Sequence, residues 1–195
     1  MRFSGIKFLT SAATLDQLPV DEGYEVAFAG RSNAGKSSAL NVVTNVRNLA
    51  KTSKTPGRTR LINLFSLDDC RRLVDLPGYG YAQVSRAQQK QWQQILGDFL
   101  VTRRCLRGLI LLMDCRHPLK EDDWLMIEWV QQRHLPIHIL LTKVDKLSRN
   151  QGNQQQFKVE KELKGLPGIS CQCFSSLKKT GVEQLEQVLL SWLEL

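Results

Sequence analysis

Apolar residues in this chain come in short runs separated by longer amphipathic stretches. Val26–Ala29, Gly108–Asp114 and Pro136–Thr142 are almost wholly apolar, as strands buried on both faces are. Leu61–Leu67 and Arg72–Leu76 read as two strands of a hairpin turning at Asp68-Asp69, and Ile169–Phe174 as a further strand. Between them the period changes to that of helices: about 36–46, from a Ser85 N-cap to about Arg103, Glu121–Arg133, Asn153–Leu163 and Val182–Leu193. In the Glu121 helix, Trp124, Ile127, Glu128 and Val130 are expected near one face. Strand–helix alternation of this kind predicts an α/β fold, a parallel sheet with helices on both faces and one antiparallel edge strand from the hairpin. Residues 1–22 read as an N-terminal lead-in, and 23–195 as a single domain. Ligands in such sheets bind at the carboxyl ends of the strands, so the loops there carry the search for chemistry.

Composition changes this picture little, and charge changes it more. The longest apolar run, Leu109–Met113, is far short of the roughly 20 residues of a membrane helix. No secretory signal pattern opens the chain, so the cytoplasm is the expected compartment. The five cysteines are an odd number without a CxxC pair, which points to reduced thiols rather than a disulfide framework. Net charge is +8, a balance that favours polyanionic partners: nucleic acid, a ribosome or an anionic membrane. Between Glu25 and Asp68 there is no acid but there are seven bases, Arg31, Lys36, Arg47, Lys51, Lys54, Arg58 and Arg60. Further basic clusters stand at Arg71-Arg72, Arg103-Arg104-Arg107 and Lys178-Lys179; lining one face with the 51–59 loop they would suit RNA, and scattered they would be solubilising charge.

The first chemical motif follows the first buried strand and opens a helix. Gly30-Arg31-Ser32-Asn33-Ala34-Gly35-Lys36-Ser37 matches GxxxxGK[ST]. Its glycines let backbone N–H groups turn toward phosphate oxygens, and the helix N-terminus adds its positive dipole end. Lys36 is expected on the β- and γ-phosphates and Ser37 on Mg²⁺. Asp75-Leu76-Pro77-Gly78 ends a later strand; an acid there serves Mg²⁺ through water, and Gly78 offers its N–H to the γ-phosphate. Between them, Thr55-Pro56-Gly57-Arg58-Thr59 holds the hydroxyl a switch loop needs, Thr59 being the first choice as second Mg²⁺ ligand and Thr55 the alternative.

The base is read elsewhere. In Thr142-Lys143-Val144-Asp145, the Asp145 carboxylate can accept from the ring N–H and 2-amino group of guanine, a donor pair adenine lacks. The stem of Lys143 can lie over the base. Phe174-Ser175-Ser176 ends another strand and can present an N–H to the guanine oxygen. In chain order behind a phosphate loop, these pieces point to a GTP site and argue against an ATPase. No lid or second-substrate site supports a nucleoside kinase.

These motifs resemble the five of the translation-factor class of P-loop GTPases. More narrowly, GRSNAGKSSALN, TSKTPGRT, LVDLPGYGYA, DCRHPLK and FSSLKKTG are similar to the EngB family of bacterial GTPases, over nearly the whole chain from about Glu22. The resemblance implies a three-layer P-loop GTPase fold with a six-stranded mixed sheet. It implies Mg²⁺-dependent GTP binding and hydrolysis, a part in large-subunit ribosome assembly, and a need for the protein in normal cell division and septation. Carried onto this chain, it places GTP on Gly30 to Ser37, on Gly57, Arg58, Thr59, Arg60 and Leu61, on Asp75 to Gly78, on Thr142 to Asp145, and on Phe174 to Ser176. It places Mg²⁺ on Ser37 and Thr59, with Lys36 and Thr59 in the catalytic role.

Four residues bear on rate. Many small GTPases follow DxxG with a Gln that orients the attacking water; here the position is Tyr79, so slow intrinsic hydrolysis is expected, whether or not Tyr79 also packs on a helix. Asn33 would lie beside the β/γ-bridging oxygen and could coordinate K⁺ as an activator. Arg31 and Arg58 are alternative charge donors. A monomer is expected, since no heptad pattern is evident. The rival reading is an RNA-binding assembly factor in which nucleotide is mainly structural.

Overall fold

The computed structural model describes residue 3 and residues 5–50, 61–80 and 86–195. Seven strands form one sheet: β1 (Lys7–Ala12), β2 (Tyr24–Gly30), β3 (Ile62–Ser66), β4 (Arg71–Asp75), β5 (Leu106–Asp114), β6 (Ile137–Thr142) and β7 (Ile169–Cys173). Their spatial order is β1-β3-β4-β2-β5-β6-β7, parallel from β4 to β7. The helices are α1 (Lys36–Thr44), α2 (Arg86–Thr102), α3 (Glu121–Gln131), α4 (Arg149–Glu162) and α5 (Val182–Trp192).

Alternation along the central strands sorts the core into two layers. Ala27, Ala29, Leu109, Leu111 and Met113 face one way, into a cluster completed by Leu96 and Phe99 of α2, Met126, Ile127 and Val130 of α3, and Val159 of α4. Val26, Phe28, Ile110 and Leu112 face the other way, onto Leu40 and Val43 of α1 and Leu185 and Leu189 of α5. A side chain at Gly108 would run into the Trp192 ring, so its lack of one lets α5 lie close on the sheet.

The α/β reading holds, with one strand more than the six expected. Part of the 1–22 lead-in is β1, which pairs antiparallel with β3 and covers what would otherwise be the sheet edge. Its Phe8 and Leu9 stay exposed, so apolar patterning did not betray it; backbone pairing along β3 makes the strand. In α3 the inner face is Asp123, Met126, Ile127 and Val130, while Glu128 is exposed. Helix α4 begins four residues before the expected start, because Ser148 and Gln151 cap each other reciprocally. No described helix is long and apolar enough to cross a membrane.

Candidate functional site

The loops at the carboxyl ends of β2, β4, β6 and β7 converge. Gly30 closes β2 against β5: a Cβ there would sit 2.8 Å from the Leu112 carbonyl oxygen. Gly35, at φ +94°, stands at the N-cap of α1, whose N-terminus has no side-chain cap. The first N–H groups of that helix therefore point into the loop with the positive end of the dipole, an arrangement suited to phosphate. Asn33 takes a left-handed φ of 62° within the loop.

This phosphate loop is sewn to the segment after β4. The Ser32 N–H donates to the Tyr79 carbonyl at 2.8 Å, and the Leu76 N–H to the Phe28 carbonyl at 3.0 Å. Across the seam, the Lys36 ammonium pairs with the carboxylate of Asp75, which is 3% exposed. Structure thus brings Gly30–Ser37 and Asp75–Gly78 together. Gly57, Arg58, Thr59 and Arg60 lie outside the described residues, as do Thr55 and Ser85; Leu61, exposed, leads into β3.

Tyr79 turns away from this centre. It is 5% exposed, and its hydroxyl donates to Asp123 Oδ1 at 2.7 Å, while Asp123 Oδ2 accepts from the Lys120 N–H at 2.9 Å at the start of α3. Burial, then Asp123, pushes the Tyr79 hydroxyl well above its ordinary pKa. Burial also raises Asp123, although bonding to Tyr79 and Lys120 and the charge of Arg31 pull the other way. Arg31 runs beside Gly80 toward this acidic end of α3.

The second half of the site hangs from β6 and β7. The Thr142 hydroxyl donates to the carbonyl oxygens of Ala34 (2.7 Å) and Met113 (3.1 Å), tying the end of β6 to the phosphate loop. Lys143 takes a left-handed φ of 60° and starts the turn Val144–Lys146 that carries Asp145. The Ser175 hydroxyl donates to Asp145 Oδ1 at 2.6 Å and accepts from the Lys178 N–H at 3.1 Å. The Val144 N–H donates to the carbonyl of buried Phe174 at 3.3 Å. One Asp145 carboxylate oxygen is thereby held by protein, which orients the plane of the group.

Residues 25–143 match the family described as 50S ribosome-binding GTPase. The "Probable GTP-binding protein EngB" of Coxiella burnetii is 54% identical over 187 residues, 95% of this chain and 91% of that protein. That of Aeromonas salmonicida is 54% identical over 193 residues, 98% of this chain and 89% of that one. The chain belongs to the EngB family of GTPases. In fold it is similar to a solved "probable GTP-binding protein engB" (TM-score 0.69, 18% identity, 87% of this chain and 98% of that one). It is also similar to Aquifex aeolicus Era (TM-score 0.67, 19% identity, 88% of this chain and 57% of that one).

Within this EngB-family chain the structure adds residues that the motifs passed over. Asp114, at the end of β5, holds Lys143 Nζ at 3.0 Å and chelates the Arg116 guanidinium. In the segment Asp114-Cys115-Arg116-His117-Pro118, His117 is exposed, and the informative signal is the acid two residues before an arginine at a strand end. Part of two basic clusters also resolves differently from an RNA face, while Arg104 and Arg107 stay exposed. Arg72 and Arg103 are buried on Glu25, and Arg71 donates to the carbonyls of Leu193 and Glu194. Burial raises the Cys105 and Cys171 thiols to about 12 and Cys115 to about 11, which makes them poor nucleophiles.

Proposed function

We propose that this chain is a Mg²⁺-dependent GTP switch with slow intrinsic hydrolysis that acts in assembly of the large ribosomal subunit and so serves cell division and septation. The observation that carries the reading is the convergence of Gly30–Ser37, Asp75–Gly78, Thr142–Asp145 and Phe174–Ser176 at one end of the sheet, stitched by the Ser32–Tyr79, Thr142–Ala34 and Ser175–Asp145 bonds. GTP would take its phosphates on the loop N–H groups and Lys36, its base edge on Asp145, and its base oxygen on the 174–176 turn.

The residues fit magnesium. Ser37 opens the uncapped helix, the Asp75 carboxylate stands beside Lys36, and Thr59 supplies a second hydroxyl in sequence; all are hard oxygen donors. Ser37 and Thr59 would hold the cation, with Asp75 acting through its water shell. Magnesium, when bound, supplies neutralisation of charge between the β- and γ-phosphates. Lys36 then binds the developing charge on the γ-phosphate, and Gly78 senses that phosphate through its N–H.

Slow turnover follows from Tyr79. Its hydroxyl is engaged by Asp123 in the core, so that position contributes no group to orient water. Asn33 offers an amide oxygen to K⁺ as an activator; equal rates in KCl and NaCl would remove that part. The ribosomal part is supported by the description of the matched family and by the net charge of +8. A cytoplasmic monomer completes the proposal.

The test is sedimentation of the protein with large ribosomal subunits, comparing a non-hydrolysable GTP analogue, GDP and no nucleotide at two salt concentrations. Co-sedimentation only with the analogue, weakening with salt, is expected. Binding indifferent to nucleotide would instead favour an RNA-binding assembly factor whose nucleotide is structural.

A further inference from the structure

We propose that Asp114 is a positioning residue for base recognition, fixing the stem of Lys143 as one wall of the purine slot. The inference rests on the base-site reading above and deepens it.

Asp114 ends β5 opposite Thr142 of β6, so its carboxylate emerges beside the residue that follows Thr142. Four donors hold that carboxylate. Oδ1 accepts from the Arg116 N–H (3.1 Å) and Nε (2.9 Å), and Oδ2 from Arg116 Nη2 (2.7 Å) and Lys143 Nζ (3.0 Å). An isolated pair of this exposure, 34% for Lys143 and 20% for Asp114, would hold a lysine only weakly. Here the Arg116 fork orders the acceptor beforehand, so the ammonium meets a carboxylate that is already oriented.

The other end of Lys143 is fixed as well. Its φ of 60° is a left-handed conformation that side-chain-bearing residues adopt at a cost, and it is held by the turn that follows, where the Lys146 N–H donates to the Lys143 carbonyl at 2.9 Å. With backbone and ammonium both pinned, the four-carbon stem between them has few remaining rotamers. It lies on the strand end that carries Asp145 two residues on, and Asp145 is oriented by Ser175. Asp145 reads the edge of the base while the stem of Lys143 bounds its face. Ordering the stem in advance lowers the entropy cost of closing on the purine.

The experiment is a double-mutant cycle on affinity for ribose-labelled fluorescent GDP, using Asp114→Ala, Lys143→Ala and the double variant, with melting curves for each. Asp114→Ala should weaken binding about fivefold, mostly through faster dissociation. The double variant should bind no more weakly than Lys143→Ala alone. Unchanged affinity in Asp114→Ala, or an equal loss in the Lys143→Ala background, overturns the proposal, because a merely structural Asp114 would act independently of Lys143. Should Asp114→Ala fail to fold, Arg116→Gln, at an exposed side chain, must show a smaller loss that likewise disappears without Lys143. If Lys143→Ala itself leaves GDP binding intact and Asp145→Asn leaves base preference unaltered, the base-site reading falls and this proposal with it. If those two behave as expected while Asp114→Ala does nothing, only this proposal falls.

Discussion

The two ends of the central sheet use charge in opposite ways. At the amino ends of the parallel strands, Glu25 is fully buried with Oε1 on Arg72 Nε (2.8 Å) and Arg103 Nη2 (2.7 Å), and Oε2 on Arg103 Nε (2.9 Å). Further guanidinium N–H groups go to the carbonyls of Pro19, Val20 and Glu22. Asp21 adds a second acid, accepting from the Arg104 and Cys105 N–H groups. The named donors of Arg72 and Arg103 end on protein acceptors, so this buried cluster is turned inward. At the carboxyl ends, acceptors and donors face a shared space. Helix α1 begins with no side-chain cap, whereas α4, elsewhere in the same fold, has a reciprocal Ser148–Gln151 cap. Charge closed within the core marks scaffold, and charge gathered at the open strand ends, as in Lys36–Asp75 and Lys143–Asp114, marks function.

The largest effect expected from breaking this contrast is at the closed end. Glu25→Gln leaves buried Arg72 without its counter-charge and Arg103 with only Asp21, 3.7 Å away, a change that typically costs about 3–5 kcal/mol. Urea unfolding should show that loss, while GDP affinity of the folded fraction stays near the parent value. A loss below about 1 kcal/mol would mean that the network is solvated after all.

The same size of change at the open end should alter choice rather than stability. Asp145→Asn exchanges an acceptor for a donor, and charge-assisted bonds of about 1.5–3 kcal/mol each are at stake. Competition binding should move preference from GTP toward xanthosine triphosphate by about 100-fold or more, with the melting temperature little changed. Persistent GTP preference would place the base elsewhere.

How much of this was legible beforehand follows the range of the interactions. The phosphate loop, β2 and α1 were readable because glycine spacing and apolar runs are local. Strand β1 was not, because Lys7–Ala12 has exposed Phe8 and Leu9, and only pairing with β3 makes it a strand. The early start of α4 was missed because Arg149 to Gln155 offers no apolar period; the signal was the Ser148–Gln151 cap. The Glu25 cluster depends on register, with Glu25 directly beside Arg72, and register is not written in either segment alone. Asp114 was hidden for the same reason, since β5 and β6 must align before it can meet Lys143.

Tyr79 lies between the two kinds of region, one residue past Gly78 and yet buried. Tyr79→Phe removes a buried donor to Asp123, and the expected cost is about 1–2 kcal/mol of stability. Single-turnover GTP hydrolysis should stay within about twofold, since the hydroxyl points to α3. A tenfold fall in that rate would return Tyr79 to the catalytic machinery.

The smallest effect sharpens the comparison through pH. Burial pushes the Asp21 carboxyl up, but the Arg104 and Cys105 amides and the charge of Arg103 outweigh it and hold its pKa well below the usual carboxylate range. Asp123, at the other end, is shifted the opposite way by burial. For Asp21 the unfolded chain binds the proton more readily than the folded one, so stability from this group is fully present above about pH 4 and is lost as pH falls below it toward the folded pKa. Asp123 has the reverse sign: its folded form holds the proton longer, so its contribution declines as pH rises out of the usual carboxylate range. Asp21→Asn should therefore flatten the acid limb of stability against pH measured by urea unfolding, leaving the neutral plateau lower by a modest amount because Asp21 is partly solvated. An acid limb as steep as the parent's would show that the amides of Arg104 and Cys105 hold Asp21 no better in the folded chain than water does in the unfolded one.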